Sequence, residues 1–132
     1  GGASGSGSGV TIATDSTVRR CSVTNGQFAG IQGTTPNVLA EDNHIADCPR
    51  GIVVTTYSRV QGNTIAVPAS GTGIIGNNNG QNLIARNFIT SKGAAGTTAI
   101  SAPGSNSIAP TAVGVNLFAD ANSSNPHANF VN

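Results

Sequence analysis

The sequence predicts an all-β solenoid, a parallel β-helix, from three observations. First, one phrase recurs: an apolar residue, two spacers, a small polar residue, one spacer, then Val or Ile. It reads Val18-Arg-Arg-Cys21-Ser-Val23, Ala40-Glu-Asp-Asn43-His-Ile45, Val60-Gln-Gly-Asn63-Thr-Ile65 and Ile84-Ala-Arg-Asn87-Phe-Ile89, with a weaker copy at Pro103-Gly-Ser-Asn106-Ser-Ile108. With the fourth position as marker, the steps are 22, 20, 24 and 19 residues. Second, Gly followed by Val or Ile (Gly9-Val10, Gly30-Ile31, Gly51-Ile52, Gly73-Ile74) precedes the marker in four repeats, the Val or Ile standing eleven to thirteen residues ahead of it. Third, β-branched runs such as Val10-Thr-Ile-Ala-Thr14, Gly51-Ile-Val-Val-Thr55 and Asn63-Thr-Ile-Ala-Val67 are separated by breaker tracts such as Gly33-Thr-Thr-Pro-Asn37 and Gly76-Asn-Asn-Asn-Gly80. Those are strand and turn signals, and no stretch carries a 3.6-residue period.

A period near twenty marks a unit that cannot bury its apolar face alone and stacks on its neighbours. Parallel strands need a long return connection, and here the repeats are too short for a crossover helix. A coil that winds once and pairs each strand with its equivalent one turn on solves this, with coils about 4.8 Å apart. Ile45, Ile65, Ile89 and Ile108 then stack with Val23 as an interior ladder. Cys21, Asn43, Asn63, Asn87 and Asn106 form a second ladder at a bend, where Asn tolerates left-handed backbone and its amide bonds along the column.

In order along the chain, residues 1–9 are a Gly/Ser-rich N-terminal segment, either a linker or a native strand. Residues 10–112 hold the coils. Residues 113–132 leave the period, include Leu117, Phe118, Phe130 and Val131, and are expected to form an irregular C-terminal cap over the last strand edge. On these phrases, "G-I" followed by "V-x-x-N-x-I", the chain resembles the right-handed parallel β-helix superfamily with the pectin-lyase-like fold, in a short form of about five coils over roughly residues 9–109. The resemblance implies a right-handed single-stranded helix. Many members of that superfamily are polysaccharide lyases, hydrolases, epimerases or phage tailspikes, but the phrase is a packing signature and carries no catalytic residue.

Composition narrows the function classes. The 132 residues make one domain, with 8% charged residues, 4% aromatic residues, no Trp and no Met. Six Lys and Arg, scattered apart from Arg19-Arg20, argue against nucleic acid. No apolar run approaches a membrane span. High Gly, Asn, Ser and Thr with low charge is the composition of secreted repeat proteins, so the expected location is secreted or cell-surface, either extracellular or periplasmic. The start has no charged-then-apolar signal segment, which fits a mature exported chain. Cys48 lies five residues beyond its marker, roughly 16 Å along extended chain from the column of Cys21, so both cysteines read as free, mostly buried thiols.

Candidate chemistry yields to packing at most positions. Gly71-Thr-Gly73-Ile-Ile-Gly76 matches G-x-G-x-x-G, yet lacks the strand-turn-helix context of a phosphate loop. His44 and His127 have no partner at metal-ligand spacing, so no metal and no cofactor is expected. Glu41 and Asp42 are adjacent and point to different faces, unlike a catalytic carboxylate pair. They align instead with Arg19 and Arg20 one coil earlier, which predicts two neighbouring ion pairs. Arg19, Arg20 and Arg86 are the candidate residues for a sugar acid. In the superfamily, lyase chemistry takes a cation or Ca²⁺ with a Lys or Arg base, and hydrolysis takes clustered Asp. Here Asp15, Asp47 and Asp120 fall in different columns and Lys92 has no acidic neighbour, so no catalytic residue is assigned. The sequon Asn122-Ser-Ser124 lies in the tail, a three-residue match near chance in an Asn- and Ser-rich chain.

The sequence thus favours a non-catalytic extracellular structural or assembly module, a fibre, spike or surface-protein building block. It is expected to associate with itself or a larger parent protein through the N-terminal end. The alternatives are a polysaccharide-processing enzyme, or part of one, and a carbohydrate- or ice-binding β-helix. Ice ranks last, because Thr11, Thr34, Thr35, Thr55, Thr56, Thr97 and Thr98 share no single register.

Overall fold

Each repeat closes one turn of a three-sided coil. The computed structural model describes residues 7–91, 97–108, 111–113 and 129–131, the last two stretches as backbone strands. The first coil holds β1 (Val10–Ile12), β2 (Thr17–Arg19) and β3 (Ser22–Thr24). The second holds β4 (Ile31–Gly33), β5 (Leu39–Glu41) and β6 (His44–Ala46). The third holds β7 (Arg50–Val54), β8 (Arg59–Gln61) and β9 (Thr64–Val67), and the fourth β10 (Thr72–Gly76), β11 (Leu83–Ala85) and β12 (Phe88–Ser91). A fifth level holds β13 (Thr98–Ser101), β14 (Ser107–Ile108) and β15 (Thr111–Val113), and β16 (Asn129–Val131) follows. Five levels make four full turns of a right-handed parallel β-helix, with no helix among the described residues.

Equivalent strands stack into three parallel sheets, ordered β1-β4-β7-β10-β13, β2-β5-β8-β11-β14 and β3-β6-β9-β12-β15-β16. Register puts Val10, Ile31, Ile52, Ile74 and Ile100 in one column, and Val23, Ile45, Ile65 and Ile89 in another. Val18, Ala40, Val60 and Ile84 form the third. These three columns are the core, and its inner members are fully buried.

The glycine before each Ile on the first side is sterically required. A Cβ on Gly30 would lie 2.5 Å from Ile45 Cγ2, and one on Gly73 would lie 2.8 Å from Ile89 Cγ2 and 2.5 Å from the carbonyl of Ala99. The third-side Ile of the same coil therefore fills the space beside each glycine. Gly71, Gly73 and Gly76 thus belong to β10 and its approach, and the G-x-G-x-x-G string is a strand.

Three expectations are corrected. Asn106 does not join Asn43, Asn63 and Asn87. Its Oδ1 accepts from the backbone N–H and the Nδ2 of Asn82, at the corner between the first and second sides. Ile108 accordingly pairs with Ile84, Ser107 with Leu83, and it is Val113 that pairs with Ile89. The reason is that the N-x-I phrase occurs at both corners, as Asn82-Leu-Ile84 shows, and only the apolar residue three places before the marker separates them. The weak copy has Pro103 there. Next, the left-handed residue is the one before the ladder residue: Arg20 (φ 54°), Asp42 (54°), Gly62 (69°) and Arg86 (54°). Finally, Cys21 is exposed and Cys48 buried, both free.

Residues 1–6, 92–96, 109–110, 114–128 and 132 lie outside the described residues, and with them Lys92, most of the expected cap and the sequon. Within the segment read as a cap, Asn129–Val131 pairs in parallel with β15 and extends the third sheet.

Two substitutions test this packing. Asn63→Leu removes the acceptor for the Asn43 N–H and Nδ2 and should cost about 2–4 kcal/mol, read as a fall of several degrees in Tm. Gly51→Ala places a methyl group 2.6 Å from Ile65 Cγ2 and against the Gly73 carbonyl, and should cost about 1–3 kcal/mol by overpacking. An unchanged melt for either variant contradicts the register.

Candidate functional site

Among the described residues the buried polar side chains gather at the corners. At the corner between the second and third sides, Asn43 Oδ1 accepts the N–H of Cys21 at 3.1 Å. Asn63 Oδ1 accepts that of Asn43 at 3.0 Å, and Asn87 Oδ1 that of Asn63 at 2.9 Å. Cys21 therefore enters this column by its backbone N–H, and its side chain is exposed at the N-terminal end of the column. A parallel series runs at the first corner, where Val38 N–H donates to Ser58 Oγ, Ser58 N–H to Asn82 Oδ1, and Asn82 N–H to Asn106 Oδ1. At the third corner the acceptor is a thiol: Gly26 N–H donates to Cys48 Sγ at 3.2 Å. Burial pushes the Cys48 thiol pKa up, so it stays protonated and donates in turn to Ala46 O.

Sequence reasoning did not identify the Ser58-Asn82-Asn106 series or the role of Cys48. The first was legible in Asn82-Leu-Ile84. The second was not, since a lone Cys among Gly and Asp carries no repeat signal.

Outward from β2, β5 and β8 lies the densest set of charges. Arg19 Nη2 donates to Glu41 Oε2 at 3.0 Å, and Gln61 Nε2 donates to Glu41 Oε1 at 2.9 Å. The Gln61 hydrogen bond is the main cause of a lowered Glu41 pKa; partial desolvation opposes it, and the Arg19 and Arg86 charges add to it. The second predicted ion pair, Arg20 with Asp42, is not formed; Arg19–Glu41 is the ion pair among the described residues. Asp42 turns its carboxylate over Gly62 in the following coil, away from Arg20, because the glycine leaves that space open. Arg20 and Arg86 stand exposed at opposite ends of this corner column, with Asp42 and Gly62 between them.

Beside this set, a cleft of about 310 Å³ opens at the first corner, lined by Asp15, Ser16, Thr17, Asn37, Val38, Leu39 and Arg59. Asn37 Nδ2 donates to Asp15 Oδ1 on its wall.

The family model for NosD, described as periplasmic copper-binding protein (NosD), matches residues 3–125. The chain belongs to the NosD family. No curated protein and no solved structure matches it. NosD is a periplasmic family, and no helix among the described residues is long and apolar enough to cross a membrane.

The copper in the NosD description can be tested against the donors present. Copper sites are built from converging thiolate, thioether and imidazole groups. The chain has no Met, and the Cys48 thiol is already engaged by Gly26 and Ala46 inside the stack. Cys21 and His44 are exposed neighbours on adjacent coils, where the His44 N–H donates to the Cys21 carbonyl. Among the described residues no three His, Cys, Asp or Glu side chains come together. The described donor set does not fit a resident copper centre, and His127 lies outside the described residues.

Because the Glu41 pKa is lowered in the folded chain, its contribution to stability is present above the unfolded carboxyl pKa and is lost as pH falls through the folded one. Glu41→Gln should therefore lower Tm slightly at neutral pH, and the difference should vanish below about pH 4. Melts of the two chains across pH check it; a gap that widens in acid contradicts it.

Proposed function

We propose that this NosD-family chain is a non-catalytic structural module, a periplasmic β-helix whose residues serve stacking and assembly. The observation that carries the reading is the state of Glu41. The carboxylate at the centre of the most charged face is bonded on both sides, to Arg19 in the coil before and Gln61 in the coil after. A general acid or base needs a carboxyl group free to reach substrate. The candidate sugar-acid residues fit the same reading, because Arg19 is held by Glu41 while Arg20 and Arg86 stand at separate ends of a column.

The competing reading is carbohydrate binding, with or without turnover, as the pectin-lyase-like resemblance implies. The cleft beside Arg59, with Asp15, Asn37 and Leu39 on its wall, is the feature that favours it. Incubation of the full chain with polygalacturonate and alginate separates the two. The structural reading expects no rise in unsaturated uronate absorbance or in reducing ends, and no shift in Tm at saturating polysaccharide. Turnover of either polymer overturns it.

A further inference from the structure

We infer that the N-terminal face of the solenoid is a docking surface for one more right-handed parallel β-coil, a polypeptide of the same repeat class that presents its C-terminal side. The inference rests on the structural reading and names the partner chemistry of that assembly surface.

One pair of side-chain bonds recurs at all three corners. At each corner one ladder side chain both accepts an amide from the preceding coil and donates to the carbonyl two residues back in its own. Ser58 Oγ accepts from Val38 and donates to Thr56 O at 3.0 Å. Cys48 Sγ accepts from Gly26 and donates to Ala46 O at 3.3 Å. Asn63 accepts from Asn43 and donates to Gln61 O at 3.2 Å.

Two residues of the first coil hold the same conformation with only the second bond made. Ser16 Oγ donates to Thr14 O at 3.3 Å, and Cys21 Sγ donates to Arg19 O at 3.4 Å. Their acceptor sides face the position of a preceding coil. The strands and the core agree with this. β1, β2 and β3 are each the edge of their sheet. Val18 and Val23 are 7% exposed where their equivalents Ala40, Val60, Ile45 and Ile65 are 0%, and Val10 and Ile12 are only partly buried. The surface thus continues the coil-to-coil interface that repeats inside the molecule, with acceptors at two corners and apolar groups between them.

The occupant follows from polarity and length. In each of these bonds to Ser58, Cys48 and Asn63 the amide comes from the earlier coil, so a coil presenting its C-terminal side is what supplies the equivalent amides to Ser16 and Cys21. A coil takes twenty or so residues, so residues 1–6 alone do not make one. Among the described strands the third sheet runs one strand, β16, beyond the other two, so these strands do not offer a second copy's C-terminal side as a level coil.

The test supplies such a coil. Val10 pairs with Ile31 and Ile31 with Ile52, so a duplicate of residues 30–50 inserted ahead of Gly9 enters in register, and its copies of Val38 and Asn43 bring amides to Ser16 and Cys21. Alkylation of Cys21 in the lengthened chain should slow at least tenfold relative to the unmodified chain, with Cys48 slow in both. Retained β circular dichroism with an unchanged Cys21 rate overturns the inference. A second measurement needs no insertion. In the unmodified chain, Ser16→Ala and Cys21→Ala should leave Tm within about a degree, while Ser58→Ala lowers it by several. Equal losses would mean that Ser16 and Cys21 are already partnered, and would overturn the inference. Protection of Cys21 that grows with concentration in the unmodified chain would overturn it in favour of a second copy. Polyuronate turnover tests the structural reading separately, and leaves Cys21 protection as an independent result.

Discussion

At each corner the backbone passes through a left-handed residue, and this breaks the alternation by which successive amides in a strand point to opposite neighbours. Asp42 and Asn43 show the consequence. Both of their N–H groups point to the third coil, and only one meets a backbone carbonyl, that of Gln61. The other amide is buried and needs a second acceptor, which the Asn63 side chain supplies. The next residue, His44, turns back and donates to Cys21 O. The same sequence of three amides recurs at Tyr57, Ser58 and Arg59, so one hydrogen-bonding deficit, repeated around the coil, dictates which positions hold Asn, Ser or Cys.

The side walls follow a second rule of the same kind, written in volume. A three-sided coil this narrow leaves no room for two Cβ-bearing columns where the third side meets the first. Ile45, Ile65 and Ile89 occupy that edge, so Gly30, Gly51 and Gly73 have no side chain. A chain without Trp or Met can still fill such an interior, because each level needs only three medium apolar groups and gains its burial from the levels on either side.

These two rules explain what the sequence discloses. The Gly-Ile column and the Val23-Ile45-Ile65-Ile89 ladder were legible because each repeats with a fixed neighbour, and Asn43, Asn63 and Asn87 share one upstream apolar residue. Asn106 was misplaced because two corners solve the same deficit with the same residue, and a phrase of three positions does not say which corner it serves. Cys48 was illegible as a ladder residue because a thiol that accepts one amide and donates to one carbonyl replaces Asn without any sequence pattern. The charged face was half legible. Alignment placed Arg19 beside Glu41, but the absent side chain of Gly62, which draws Asp42 away from Arg20, acts only in three dimensions.

Because the coil fixes its corner and inward positions by these needs, chemistry is left to the outward residues of the strands. On the first side these are Thr11, Gln32, Val53, Ile75 and Ser101, and on the third Ser22, His44, Thr64 and Phe88. Neither column holds a carboxylate. The second side holds one, and it is bridged between coils. The outward columns therefore resemble the interior in their logic, with side chains matched to the coil above and below. A solenoid so constituted is also directional. The side chains of Cys48, Ser58, Asn63 and Asn82 accept amides from the coil on their N-terminal side, so the two ends are chemically different surfaces. Any partner that extends the stack must approach with the complementary polarity.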